Sequence, residues 1–412
     1  MDQDMLVLVL VRKSFRYRVY PSETQIKRLE QWEHALRSLW NLALEQRLWG
    51  LARARDERRY YSAFDQINQL TELRAEIPWL AEVPRNVCAQ LLVELDKAWQ
   101  RCFKKLADEP RWKRKGRDIV NFCEPHPKVW HLEGAALHFP KLGMMRVVVH
   151  RPLEGKPKTC TIVREGDQWF AAISCEVEIA PPTPRTEPIV ALDRGITNLV
   201  ADSDGNITVN PKHLEQSLRQ LRHTQRVVSR RQKGSRNKQK AVVRVNRLHR
   251  TVRRQRDHVL HALSATYAKS HGTVVVERLQ IRNMVRNHHL SRRIGAAGWG
   301  RLVTFLGYKT AWAGGQTVEE EAAYSSQTCA VCGHVDAASR SGERFCCTKC
   351  GVVAHADVNA AKVLKARYLA RTRVNRSGFA CGGMPPEGAR RSRKRLNVAR
   401  RSSESSALLG RG

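Results

Sequence analysis

Ile189-Val190-Ala191-Leu192-Asp193-Arg194-Gly195-Ile196 places an acidic side chain at the end of an apolar run, just before a glycine. Four apolar residues bounded by turn signals read as a buried strand that ends at Asp193. A carboxylate there is usually a turn or cap residue. Two further segments change its meaning. A second buried strand, from Gly272 through Val274-Val275-Val276, also ends in an acid, Glu277, and Asp357 opens the helix-like run Asp357-Val358-Asn359-Ala360-Ala361-Lys362-Val363-Leu364. Three carboxylates from separate elements match what two-metal phosphodiester hydrolysis requires. Oxygen ligands converge on two ions ~4 Å apart, one activating water and one stabilising the leaving oxygen. An all-oxygen donor set suits Mg2+ or Mn2+.

Between the second and third carboxylates lie Cys329-Ala330-Val331-Cys332 and Cys347-Thr348-Lys349-Cys350, fourteen residues apart and each followed by a glycine, Gly333 or Gly351. The two-residue spacing turns both thiolates of a pair toward one ion, and the glycine permits the tight backbone that exposes them. Four sulfurs predict one tetrahedral Zn2+. A closed sulfur shell leaves no position for water, so the zinc is structural. Unligated cysteines or an iron–sulfur cluster suit paired, glycine-flanked knuckles less well. The other cysteines of the 11 are scattered singly, Cys346 reading as a spare thiol, which fits a reducing compartment better than a disulfide framework.

Outward from this core the chain changes texture. Pro181-Pro182-Thr183-Pro184 reads as a linker. Before it, Ala136–Phe139, Met145–Val149, Thr159–Val163 and Trp169–Val177 alternate between turn signals and predict a small antiparallel sheet or barrel. Phe15–Tyr20 is a further strand, stopped by Pro21. Ser22 and Gln25 have capping-box spacing for a helix, and another helix is predicted from Arg85 to Leu106, so the region from Pro21 to about Gly116 reads as helical. After the Asp193 strand a hairpin is expected to end in Asp202-Ser203-Asp204-Gly205, where Asp204-Gly205 is a common turn and little suggests a metal ligand. Leu214 to Ser270 reads as a basic helical hairpin broken at Gly234-Ser235, and Gly300 to Trp312 as another helix. Glu319-Glu320-Glu321 is most simply a solvated strand edge, and His288-His289 most simply surface histidines.

With 412 residues there is chain for several domains. The 73 Lys and Arg against 39 Asp and Glu leave +34, a balance that points to a polyanionic partner, nucleic acid first. A membrane is the weaker alternative, because the apolar run Met5–Val11 is far short of the ~20 residues that span a bilayer. A cytoplasmic protein, nucleoid-associated when bound to DNA, is expected. No acidic residue occurs between Arg219 and Arg256, so this run repels itself and reads as a phosphate-tracking surface, with Arg219, Arg222, Arg226, Arg244, Arg247 and Arg254 as its contacts. Trp112 and Lys113, amid Arg111, Arg114 and Lys115, suit a stacked base with flanking phosphate contacts; a packing tryptophan accounts for Trp112 equally well.

These segments resemble the TnpB family of transposon-encoded RNA-guided DNA endonucleases. The resemblance rests on Ala191–Ile196, Val274–Leu279, Ser325-Ser326-Gln327-Thr328-Cys329 and His355–Ala361, in the family's order. It extends through Tyr17–Pro21 with Gln25, Arg37–Asn41, Pro110–Lys113 and Ala297–Gly300. It implies an α+β multidomain chain with an RNase H-like (RuvC) core, carrying Asp193, Glu277 and Asp357 as Mg2+ ligands and an inserted zinc ribbon. The implied domains are a wedge-type β-barrel (residues 1–20 and 120–182) split by a helical recognition lobe (21–119), the nuclease domain (186–327 and 352–370), the ribbon (328–351) and a disordered basic tail (371–412). Implied partners are a guide RNA from the transposon end and double-stranded target DNA, with a transposase encoded nearby as a further candidate. A compact type V CRISPR effector shares this chemistry; a non-cleaving accessory or repressor protein is the rival of another class. Two positions depart from the family: Ala356 stands where many members have Arg, and Arg194 where a small or apolar residue is usual.

Overall fold

The computed structural model describes residues 9–53 and 57–378. Strand β1 (Val9–Tyr20) buries Phe15, Tyr17 and Val19 on one face and turns Arg16 and Arg18 to the other. The expected capping box starts α1 (Glu23–Ala52): Ser22 accepts the Gln25 N–H, and the Gln25 side chain accepts the Ser22 N–H at 2.9 Å. Helices α2 (Ala63–Glu76), α3 (Pro78–Ala81) and α4 (Arg85–Phe103) follow. The helical reading to about Gly116 fails after Phe103. Lys105 turns with φ of 57° and residues 104–121 form no regular element, Pro110 among them having no N–H to donate.

Strands β2 (Phe122–Glu124), β3 (His131–Glu133), β4 (Ala136–Phe139), β5 (Gly143–Val148), β6 (Lys156–Glu165) and β7 (Gln168–Ile179) join β1 in one antiparallel sheet of order β2-β6-β7-β1-β5-β4-β3. The order is open, with β2 and β3 at its edges. The sheet and the helices α1–α4 bury one continuous core, in which Trp32 and Leu36 meet Phe122, Phe139 and Ile162. Burying that much apolar surface is what holds the helices on the sheet.

A second sheet follows the proline linker: β8 (Ile189–Asp193), β9 (Asn198–Asp202), β10 (Ile207–Val209), β11 (Thr273–Arg278) and β12 (Gln316–Glu321), ordered β10-β9-β8-β11-β12. Strands β8, β11 and β12 run parallel, while β9 and β10 fold back as antiparallel neighbours. Central parallel strands are covered on both faces, which is why β8 and β11 read as unbroken apolar runs. The helical hairpin is present as α5 (His213–Arg230) and α6 (Arg236–Ser270), broken around Gly234 as expected. Then come α7 (Ile281–Met284), α8 (His288–Ala297) and α9 (Trp299–Trp312), whose Trp299, Leu302 and Leu306 pack with Leu260 of α6 against Val274 and Val276. A three-stranded sheet, β13 (Arg340–Ser341), β14 (Arg344–Cys346) and β15 (Val353–His355), leads into α10 (Ala356–Gly378).

The chain divides into two units, residues 1–365 and 366–412. Of the second, the described part is the end of α10, which stays helical through Gly378 and so past residue 371, where a disordered tail was expected; residues 379–412 lie outside the described residues. No helix among the described residues is long and apolar enough to cross a membrane.

Candidate active site and metal centre

Parallel register builds the site. Val276 of β11 pairs with Leu192 of β8, so the next residues, Glu277 and Asp193, emerge side by side on the face opposite the core residues Leu192 and Val276. Asp357 arrives from the first turn of α10, where a carboxylate is favoured by the helix dipole. Asn198, at the start of β9, donates from Nδ2 to Asp357 Oδ2 at 3.1 Å and so ties the third carboxylate to the first hairpin. That hairpin is tight. A Cβ on Gly195 would meet the Asn198 carbonyl oxygen at 2.5 Å, so only glycine fits after Asp193-Arg194. Trp299 Nε1 donates to the Gly195 carbonyl at 3.2 Å and braces the same turn from α9.

Burial, then the nearby Glu277 and Asp357 charges, pushes the Asp193 carboxyl up to about 8. Burial raises Glu277 as well, opposed by Arg194. The Arg194 backbone N–H donates to Glu277 Oε1 at 3.0 Å, and its buried guanidinium donates to the Glu277 carbonyl. An arginine in place of a small residue is thus accommodated by pairing with the second carboxylate. On the other flank, Arg340 Nη2 sits 2.9 Å from Asp357 Oδ1. Ala356 is fully buried with Cys329, Phe345 and Cys347, a place with no room for an arginine side chain. The positive charge beside the third carboxylate therefore comes from Arg340. Sequence reasoning missed Arg340 and Asn198. Arg340 carried no signal, since the ribbon fold alone carries it to Asp357; Asn198, five residues after Asp193, was legible as a polar residue directly before the apolar run Leu199-Val200-Ala201.

The four cysteines come together. Cys329, Cys332, Cys347 and Cys350 have all their sulfurs within 4.8 Å of one another, close enough to share one metal ion. Two matching knuckles build it: the Gly333 N–H donates to the Cys329 carbonyl, the Gly351 N–H to the Cys347 carbonyl, and both glycines have φ of 72°. Left-handed backbone at both places explains the glycines. Asn359 joins the ribbon to the third carboxylate's helix: its Oδ1 accepts the Ala330 N–H at 3.0 Å and its Nδ2 donates to the Thr328 carbonyl at 2.7 Å, on either side of Cys329. Cys346 is exposed and outside the cluster.

The basic candidates divide. Arg219, Arg222 and Arg226 on α5 and Arg244 on α6 are exposed. Arg247 pairs with Asp167 at 2.8 Å, and Arg254 lies 4.0 Å from Glu165 and over the Phe170 ring. Arg250 and Arg253 add to the same pair of acids. The carboxylates missing between Arg219 and Arg256 are thus supplied to α6 by Glu165 and Asp167, where β6 turns into β7. Trp112 is 45 % exposed, whereas Lys113 is half-buried, its Nζ 4.3 Å above the Trp40 ring and its backbone held by Asn41 in both directions. Asp202 is buried and accepts the Tyr267 hydroxyl at 3.0 Å, and Asp204 pairs with Lys365; neither joins the catalytic candidates. Glu320 corrects the solvated reading of its run: it is 8 % exposed, in parallel register with Glu277.

Among protein-family models, OrfB_IS605, described as "Probable transposase", matches residues 172–288, and the Cas12f1-like TNB domain matches residues 299–364. A helix-turn-helix domain model matches residues 5–55, whose described residues hold β1 and α1. A Streptomyces pristinaespiralis protein named "Putative RNA-guided DNA endonuclease" is 34% identical over 386 residues, 92% of this chain and 93% of its own. "Putative RNA-guided DNA endonuclease InsQ" of Escherichia coli (strain K12) is 29% identical over 398 residues, covering 91% of this chain and 95% of its own. A solved Cas12f1–sgRNA–target DNA complex aligns distantly, over 86% of this chain and 98% of that one, at 14% identity and a TM-score of 0.33.

Proposed function

Because this chain belongs to the TnpB family of RNA-guided DNA endonucleases, we propose that it cuts DNA phosphodiesters at Asp193, Glu277 and Asp357, at sites chosen by base pairing with a bound RNA. One observation carries the reading: the β8–β11 register sets Asp193 beside Glu277, and Asn198 links Asp357 to the same hairpin. We read the five-stranded sheet with its helices as the RNase H-like (RuvC) core, the seven-stranded sheet as the wedge, α1–α4 as the recognition lobe and the cysteine module as the zinc ribbon.

The residues suit divalent cations. Burial, then the Glu277 and Asp357 charges, pushes Asp193 toward its neutral form, and burial raises Glu277 too, so the site is one whose charge a cation would complete, and an all-oxygen donor set selects Mg2+ or Mn2+. Held by Asp193, Glu277 and Asp357, a pair of such ions would supply an activated water and charge for the leaving oxygen. The protein's own part is positioning. Arg194 fixes Glu277 through its backbone N–H and guanidinium, and Asn198 fixes one oxygen of Asp357. Arg340, with its side chain 31% exposed, sets a cation where a phosphate would arrive. The sulfur cluster suits one structural Zn2+.

The guide RNA is expected from the transposon end and the target is double-stranded DNA. Base pairing would then read sequence while the protein recognises backbone and a short flanking motif. Plasmid cleavage by the purified complex in Mg2+ tests the reading. Asp193→Ala or Glu277→Ala should abolish cutting while RNA binding persists. No cutting by the wild-type complex would favour a non-cleaving accessory protein, and wild-type cutting by Asp193→Ala would remove the carboxylate assignment.

A further inference from the structure

One groove differs in chemistry from the rest of this cationic chain. It lies between α1 and α2, encloses about 500 Å3, and is floored by Leu39, Ala43, Leu73 and Leu92. Leu42 and Trp49 form one lip, 46 % and 68 % exposed, and seven residues on a helix give this lip about 10 Å of length. Glu45 lies on the same side, and Glu72 and Glu76 line the opposite lip. Among the described residues, no lysine or arginine lines the groove. Nearby acids are used internally: Glu30 and Glu33 of α1 and Asp96 of α4 all pair with arginines. Among the described residues, none of the ion pairs includes Glu45, Glu72 or Glu76.

A polyanion is repelled from such a lining, so the surface is unsuited to RNA or DNA. Exposed Trp and Leu beside an apolar floor mark a protein interface, and a groove with helices on both sides is the kind that receives another helix. We propose that this groove docks a partner protein through a short amphipathic helix, with an apolar stripe on the floor and Lys or Arg flanks against Glu45, Glu72 and Glu76. Charge complementarity selects this occupant. Trp49 is the anchor, since a large, rigid, exposed aromatic at the groove's edge gains most from being covered.

The test uses the full-length RNA-loaded protein and a fluorescent helical peptide of roughly sixteen residues, with Leu at i, i+4 and i+7 and Lys on both flanks. Saturable one-to-one binding is expected, at least tenfold weaker in Trp49→Ala. In Glu72→Gln/Glu76→Gln it should be several-fold weaker, with a smaller loss on adding salt. A peptide with Glu flanks should not bind. Both variants should keep their melting temperature, bound RNA and DNA cleavage. Absent saturation, or equal binding by the variants, overturns the proposal. So does reversible dimerisation that Trp49→Ala abolishes, which would make a second copy the occupant, or a change in RNA or DNA affinity on neutralising the glutamates, which would place the groove on the nucleic-acid path.

Discussion

Asp193 carries the most testable chemistry of any single side chain here. An unfolded aspartate has a pKa of ~3.9, whereas burial and its acidic neighbours hold Asp193 at about 8 in the fold. The folded form therefore keeps a proton that the unfolded chain releases. That contribution to stability is fully present below the unfolded value and is lost as pH rises through the folded one. In Mg2+-free buffer with zinc retained, the wild-type melting temperature should fall between about pH 5 and about pH 8 more steeply than that of Asp193→Asn. Parallel curves would show that Asp193 does not hold its proton in the fold. The identity of this carboxylate was legible because an apolar run ended in an acid. The cation at the site was not: Arg340 reaches Asp357 from seventeen positions upstream, and no periodicity encodes that approach.

The ribbon and the first turn of α10 act as one element. Asn359 clasps the backbone on both sides of Cys329, and Arg340 of β13 meets Asp357, so disorder in the knuckles would reach the third carboxylate within two residues. Cys350→Ser should therefore lower cleavage by on the order of 10–100-fold, as loss of supporting contacts around a metal site does, while bound RNA is retained. Elemental analysis of protein purified without chelator should return one zinc per chain; iron, no metal, or a Cys350→Ser protein with unchanged cleavage would count against this coupling. Local signals served well here. The capping box at Ser22, the strand Ile189–Asp193 and the break near Gly234 all stand where residue pattern puts them. Residues 104–121 misled because apolar and basic residues at helical spacing continue past Phe103, while the chain is held by Trp40 and Asn41 from far away in sequence.

Across the molecule, charge and topology divide the work. Arg247, Arg250, Arg253 and Arg254 are drawn onto Glu165 and Asp167, joining α6 to the first sheet, which leaves Arg219, Arg222, Arg226 and Arg244 as the freer candidates for phosphate contact. Nucleic-acid affinity should fall ~10³-fold or more between 50 and 200 mM salt if six or more phosphates are neutralised. Replacing those four arginines by Gln should flatten the salt slope by roughly three and weaken matched and scrambled targets alike. An unchanged slope would make α5 a merely solvated face. The composition foretold this cationic surface but not its division, because Glu165 and Asp167 stand far upstream in sequence of α6, the helix whose arginines they pair with. What remains is whether RNA directs the cut. The complex should be reconstituted with an RNA whose guide segment is replaced, and DNA cleavage mapped in Mg2+. Cutting should move to the new matching sequence and disappear from the old one, with Asp193→Ala binding the same RNA and cutting neither; cleavage that ignores the guide would contradict the account.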